Sequence, residues 1–597
     1  MGTQRNAVGW ALALAAACAL GAVASATEAH SVPNFRLLDH QGHSFELHRL
    51  KERKAVVLMV TENGCPIVRH TLVELKALRT KFAARGVEFA LLDPNLEDTA
   101  ASVAKEVQDY NIDLPVLLDR DQLVARQLGV VRTAEVYVLD PKNWTVVYHG
   151  PVDDRLDYGQ QKPAANHAYL SDALEAVTNG GQPAIASAPV KGCAIAYDGP
   201  FAKAASPVSY ASDISPLLTQ HCEICHRPGG GAPFAFDGYS RVKAKASTIM
   251  EALLERRMPP WQPNPDHGCF SNANELSPRE KQLFAAWVEQ GSPRGEGIDP
   301  LASKPAESPL DWPLGTPDLV VKMARKVDLP ATGLVPYQYQ QVSAPTTEDA
   351  WVRGAVIRAG NAKVLHHCLV FVKYPVALKD QEPKQEAGSA GFFAGYVPGS
   401  RHTFFPEGTG KFIPRGSKFI FQMHYTTTGK PESDLSEMGL YVLPARPARE
   451  IITGAANNMD FTLPPRSVDT PIRADFVFAK ASTLYDFSPH MHLRGYNFNY
   501  TAEYPDGRRE VLLDVPRYDF NWQFQYRLKE PKRIPAGTRL VCRATYDNSS
   551  LNPANPDPNA TVHVGENTTD EMFIGYFNYS EGANETVSAS VATPARN

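Results

Sequence analysis

The sequence predicts a multidomain chain in which an α/β domain, a small all-α unit and two all-β, jelly-roll-like sandwich domains follow one another. Three observations carry this reading: the length, a change in hydrophobic period along the chain, and two Pro-rich breaks. At 597 residues the chain exceeds what one core organises, since domains run to roughly 100–200 residues. With 43% hydrophobic and 21% charged residues and a mean hydropathy of −0.29, the composition is globular and excludes a multi-spanning membrane protein. Sixty Lys and Arg against 65 Asp and Glu leave a net charge of −5. No long basic run is present to neutralise phosphates, so nucleic acid is excluded as a partner.

The first element is an export signal. Arg5 precedes an apolar run over residues 7–24 that ends in Ala24-Ser25-Ala26, a small-x-small cleavage pattern, which makes residues 1–26 a signal peptide. Export to a bacterial periplasm, with no membrane span after removal, is the expectation; a retained N-terminal anchor is the alternative.

Residues 31–198 alternate short apolar runs with helical stretches, the pattern of βαβ units in a parallel or mixed sheet. The runs at 55–60, 87–92, 136–139 and 145–148 read as strands. Between the first two, Leu72, Leu75, Leu78 and Phe82 mark one face of a helix over 69–82. Ala/Pro-rich stretches at 180–189 and 202–207 then loosen the composition.

Residues 209–295 read as short helices. The last is bounded by Ser277 as N-cap, Pro278 in its first turn, Glu280 completing a capping box and Gly291 as stop, with Leu283, Phe284, Trp287 and Val288 on its buried face. A linker at 296–316 follows. Beyond it, β-like runs such as 364–372, 418–425, 497–504 and 539–546 recur between Gly, Pro, Asn and Asp, giving two sandwich domains at 317–455 and 456–590.

The helical unit carries Cys222-Glu223-Ile224-Cys225-His226. Two thiols three residues apart can form thioethers with haem vinyl groups while the next imidazole ligates iron. One covalently bound haem c is therefore expected on Cys222, Cys225 and His226. Met258, in Arg257-Met258-Pro259-Pro260-Trp261, is the candidate sixth ligand. These segments resemble a small class I cytochrome c over most of 209–295, which implies electron transfer.

The C-terminal region holds His366-His367, His424, His490-Met491-His492 and Met572. In a strand, residues i and i+2 share a face, so His490 and His492 can present two imidazoles to one metal. His366 and His367 would point to opposite faces, and shared ligation needs a bulge or a strand end. Imidazole with thioether favours copper.

Val364-Leu365-His366-His367, Gln422-Met423-His424-Tyr425, His490-Met491-His492-Leu493 and Asp570-Glu571-Met572 stand in the order of the metal motifs of the copper type II, ascorbate-dependent monooxygenases. Over about 315–582 the chain resembles this family, which includes peptidylglycine α-hydroxylating and dopamine β-monooxygenases. The resemblance implies two copper ions. His366, His367 and His424 would form an electron-transfer site, and His490, His492 and Met572 the catalytic site where O2 is used to hydroxylate a C–H bond. Ser488 replaces the Arg with which peptide-hydroxylating members hold a substrate carboxylate, whereas Tyr576 matches a substrate-side Tyr. Phe573 stands where the family has a Cys, which leaves Cys542, and also Cys368, without an evident bridge.

The α/β domain resembles the thioredoxin and peroxiredoxin superfamily, with Gly64-Cys65-Pro66-Ile67-Val68 after its first strong strand. Val68 stands where a thioredoxin has its second Cys, which excludes C-x-x-C exchange. Cys65, a tentative catalytic residue, can react alone or pair with Cys193. Ala134 occupies the place of the family's cis-proline.

The expected whole is a periplasmic copper monooxygenase-like enzyme fed by its own haem. Its expected partners are O2, a small-molecule or peptide substrate and a periplasmic electron donor. The alternatives are a non-catalytic electron-transfer or copper-binding protein, and a thiol peroxidase acting through Cys65.

Overall fold

A computed structural model describes residues 31–157, 160–202, 206–302, 312–377, 391–400 and 402–582. The expected signal segment, residues 1–26, lies outside the described residues. Among the described residues no helix is long and apolar enough to cross a membrane.

The N-terminal unit is a seven-stranded mixed sheet in the order Ser44–Glu46, Arg36–Asp39, Val116–Leu118, Val87–Asp93, Ala55–Val60, Val136–Asp140, Thr145–Gly150. Its three central strands are parallel, as the βαβ pattern requires. Alternation along Ala55–Val60 feeds two cores. Ala55, Val57 and Met59 pack with Val68, Leu72, Leu75, Leu78 and Phe82 of the helix Pro66–Phe82. Val56, Leu58 and Val60 face the other side.

That other side is covered by the helical unit, and the two share one hydrophobic core. Tyr210, Leu218, Phe236, Phe284 and Trp287 pack in the same cluster as the sheet residues. The helix Pro278–Glu289 forms with the expected Ser277/Glu280 capping box. Lys281 reaches from it to Asp121 of the α/β unit at 2.9 Å, with both side chains buried. The two units are therefore held by a common interface, because apolar area is removed from water along the face they share. Part of the expected linker is packed too. Leu301 is buried in the shared core, and Asp299 accepts hydrogen bonds from the Tyr210 hydroxyl and the Tyr239 backbone.

Two sandwiches follow. In the first, the sheet Leu319–Lys322, Glu437–Val442, Ala350–Arg358, Thr409–Ile413, Arg449–Glu450 shares a core with the sheet Gln338–Ser343, Lys418–Tyr425, Leu365–Lys373, Phe392–Tyr396. The second packs Ile452–Asn458, Phe573–Glu581, Ser482–His490, Tyr526–Ile534 on Thr470–Val477, Arg539–Tyr546, Gly495–Glu503, Arg509–Val515. Ile452–Asn458 spans the boundary expected at 455/456 and pairs along Phe573–Glu581, so the second sandwich begins at Ile452.

The helical unit also docks on this sandwich. The Lys529 and Ser271 amides donate to the Cys269 and Arg527 carbonyls, each at 2.8 Å, extending the edge strand Tyr526–Ile534. Trp261 and Phe270 pack edge-on or tilted against Tyr526.

Candidate functional site

Three of the expected ligands converge where the strands Leu365–Lys373 and Lys418–Tyr425 pair. His367 stands directly opposite His424. The register shifts between Leu365 and His367, and this irregularity supplies the bulge that adjacent histidines need to face one point. His366, His367 and His424 each offer a nitrogen, and these atoms all lie within 4.8 Å of one another. The Nδ1 atoms of His366 and His367 are 3.2 Å apart. Ligands about 2 Å from one ion, at near-tetrahedral angles, take such a spacing.

The surroundings fit a metal better than a proton. His366 Nε2 donates to Asn521 Oδ1 at 3.0 Å, which leaves Nδ1 as the free lone pair. His424 Nδ1 is buried without a hydrogen-bond partner, a cost that a bound cation would remove. Burial pushes the proton affinity of His424 down to about 3 and holds His367 well below the usual imidazole range. Both rings are neutral at pH 7, the state that ligates metals.

The second set stands across the interface between the sandwiches. The strand Ser482–His490 stops at His490, so His492 lies beyond the regular alternation expected for the pair. The rings still meet at 5.3 Å between centroids, at 89°. His490 Nδ1 donates to Gln523 Oε1 at 2.6 Å and His492 Nδ1 to the Asp570 carbonyl at 3.1 Å, so both Nε2 atoms keep their lone pairs. Burial lowers the proton affinity of both, His492 to about 3.

Met572 is buried. Pairing of His490 with Ile574 sets the segment around His492 beside the one around Met572. Glu571, next to Met572, ties them by accepting from the His492 and Arg494 amides. Burial pushes the Glu571 carboxyl up to about 8 despite these bonds.

Phe520 links the two sets. Its ring lies 5.5, 5.9 and 5.6 Å from His366, His367 and His424, and 5.9 Å from His492. Asn521 and Gln523 on the same loop orient one histidine of each set. The motifs themselves pointed to none of these three.

The Cys222–His226 segment turns tightly at the end of the helix Ser215–His221, the His226 amide donating to the Cys222 carbonyl at 3.0 Å. His226 Nδ1 donates to the Phe234 carbonyl at 2.9 Å and its ring stacks on Phe236, leaving Nε2 for an iron. Both thiols are free and half-buried, and burial raises Cys222 to about 12. The segment leans on the first sandwich at Gly399, whose φ is +84°; a Cβ there would meet Cys225 Sγ at 3.2 Å. These features fit a covalently held haem. Met258 lines a cleft with Arg36, Trp261 and Arg517, and none of the described lining comes from the Cys222–His226 segment.

In the α/β unit, Cys65 caps the helix Pro66–Phe82 and is buried. Its sulfur lies 3.1 Å from that of Cys193 and 3.2 Å from Thr133 Oγ1. The Cys193 amide donates to the same Thr133 hydroxyl at 2.9 Å. Gly192 permits this approach, since a Cβ there would collide with the Thr133 carbonyl oxygen. Desolvation raises the Cys65 thiol, but hydrogen bonds from Thr133 and Cys193 outweigh it and hold the group below its usual value. Cys193 is pushed up to about 11 by burial and by Cys65. Ala134 takes a φ of +58° at the place of the superfamily's cis-proline. Cys368 and Cys542 are buried free thiols.

Residues 29–149 match the AhpC/TSA family. Thiol-disulfide oxidoreductases named ResA from Bacillus thuringiensis (strain Al Hakam) and Bacillus anthracis are each 29% identical over 108 residues, 18% of this chain. The chain spans 61% of the length of these curated relatives. Among solved structures, a hypothetical protein of Sinorhizobium meliloti 1021 is 28% identical, covering 29% of this chain and 94% of its own, at a TM-score of 0.27. The thioredoxin domain of a thiol-disulfide oxidoreductase from Bacteroides vulgatus is 17% identical, covering 20% and 84%, at a TM-score of 0.18. The N-terminal part of the chain thus carries a redoxin, thioredoxin-like domain, followed at the C-terminal end by a large all-β region.

Proposed function

We propose that the chain is an exported, copper-dependent oxidoreductase of the monooxygenase type that hydroxylates a C–H bond with O2, with electrons supplied by its own c-type haem. One observation carries the reading: a buried three-histidine cluster, His366, His367 and His424, faces His490 and His492 around Phe520. Four of the five imidazoles are buried, and the unpartnered Nδ1 of His424 is costly there unless an ion occupies the space beside it.

Copper ions there would supply one-electron redox chemistry and oxygen activation, and haem the electrons. His366, His367 and His424 would hold one ion, and His490, His492 and Met572 the other. The chain's own work is to keep these imidazoles neutral and oriented. Asn521, Gln523 and the Asp570 carbonyl each engage the ring nitrogen not offered to a metal. Phe520 places an apolar ring against histidines of both sets. Cys222, Cys225 and His226 would hold the haem against the first sandwich, so the donor is fixed beside the acceptor domains rather than diffusing to them. The partners of this reading are O2, a small-molecule or peptide substrate, and a periplasmic reductant of the haem.

The test starts from copper-loaded protein with reduced haem. Adding O2 should reoxidise the haem at least tenfold faster than in Met572→Ala. Equal rates in the two proteins reject the reading.

The thiol geometry favours a second activity in the redoxin domain. With sulfurs 3.1 Å apart, Cys65 and Cys193 can pass two electrons and two protons to a disulfide partner as they close into a disulfide themselves. The lower proton affinity of Cys65 makes it the attacking thiolate. Reduced protein should lose thiol titre at both positions when mixed with a disulfide substrate, and a Cys193→Ser variant should stop at a mixed disulfide on Cys65. Turnover unchanged in that variant removes the pair from the reaction.

A further inference from the structure

A cleft opens at the junction of the two sandwiches with His490 in its wall. Leu369, Phe392, Tyr396 and Tyr576 form its apolar faces, and the rings of Phe392 and Tyr576 lie 5.0 Å apart at 30°. Among the described residues, no Asp, Glu, Lys or Arg lines it. Its amide groups are already engaged. Gln523 accepts from His490 Nδ1 at 2.6 Å and donates to the Phe520 carbonyl at 3.2 Å, while the Gln525 side chain hydrogen-bonds Asp486. Besides His490, the other polar side chains of the described lining are hydroxyls, those of Ser400, Thr403, Ser488, Tyr396 and Tyr576, and Ser488 pairs across the sheet with Tyr576.

An ion entering this cleft would lose hydration and meet no opposite charge on a described lining side chain, so its burial is penalised. A flat apolar ring loses nothing comparable and gains contact with Phe392, Tyr396 and Tyr576. We infer that the cleft selects a small, uncharged substrate with an aromatic or similarly flat apolar body, and discriminates against carboxylates and ammonium compounds of the same shape. This deepens the monooxygenase reading and rests on it for the fate of the bound molecule, though not for the binding itself.

Benzamide, benzoate and benzamidinium are nearly isosteric and carry charges of 0, −1 and +1, so they separate charge from shape. Their binding to the full-length protein can be followed by ligand-observed NMR, with and without copper. The neutral amide should bind at least tenfold tighter than either ion in both states. Tyr576→Ala should weaken it about fivefold or more. Ser488→Arg supplies the missing charge and should shift the preference toward benzoate, a gain that a misfolded protein cannot show. Equal or tighter binding of benzoate or benzamidinium to the wild-type protein, or no binding of benzamide, overturns the inference. Oxygen uptake measured on the same samples keeps the two claims apart. Neutral preference without copper-dependent uptake refutes the monooxygenase and keeps the cleft's selectivity, whereas uptake with benzoate preferred does the reverse.

Discussion

Raising the pH from 7 to 9 should stabilise the paired sandwiches through Lys411. Its ammonium is fully enclosed between them, donating to the Phe392 and Phe393 carbonyls at 3.2 and 3.0 Å and to Thr453 Oγ1 at 2.7 Å. Burial pulls its proton affinity down from 10.5 to about 7, with the nearby Asp486 opposing the change only in part. Between those two values the unfolded chain holds a proton that the folded chain has released, so stability rises with pH. Each tenfold in proton affinity is worth about 1.4 kcal/mol, which makes the whole span about 5 kcal/mol. From pH 7 to pH 9 the gain is about 2 kcal/mol, because at pH 7 half of the folded molecules are still protonated. Other groups titrate in this range, so the comparison is with Lys411→Met, measured by urea unfolding at both pH values. The wild-type protein should gain about 2 kcal/mol more than the variant. An identical pH response in the two proteins refutes the buried, proton-poor lysine.

The shared core of the α/β and helical units makes Lys281→Met costly, about 3 kcal/mol, because it removes the hydrogen-bonded partner of buried Asp121, leaving the more distant Arg256 to offset the charge beside Asp119, a carboxyl already pushed up to about 8; Lys281→Met with Asp121→Leu should recover most of the loss in denaturant titrations. Mild oxidation should remove two hydrogens as Cys65 and Cys193 join, with a rate that rises with pH and levels off below the usual thiol range. Thr133→Val should move that midpoint upward, as mass spectrometry of quenched samples would show. Gly399→Leu should lower the fraction of protein carrying haem, read from the haem absorbance per chain, since the added side chain would fill the space against Cys225.

The apolar periods revealed the fold's layers well. The alternation over Ala55–Val60 and the three-four spacing of Leu72, Leu75 and Leu78 each encode a face, and a face needs only local sequence to be recognised. The capping box at Ser277 is equally local. Contacts between units were hidden, because Lys281 with Asp121, or Cys269 with Lys529, share no pattern along the chain. The same division holds at the site. The histidines announced themselves by residue type and order, and the bulge at His366 is the irregularity their adjacency demanded. His492 lies past the end of its strand, so the i, i+2 rule named the right pair through a geometry that the strand end modifies. Phe520, Asn521, Gln523 and Thr133 act only through what they touch, and a Phe, two amides and a Thr carry no signature of that in sequence. Val68 excludes the C-x-x-C spacing, and the fold brings Cys193, the distant partner open to Cys65 in the sequence, to 3.1 Å across 128 residues.

Metal analysis of the purified full-length protein tests the central claim most directly. The proposed reading, two copper sites and one covalent haem, predicts about two copper ions per haem. His424→Ala and His492→Ala should each lower this to about one, with haem content unchanged. Copper absent from the wild-type protein after loading, or a ratio that neither substitution alters, contradicts the account.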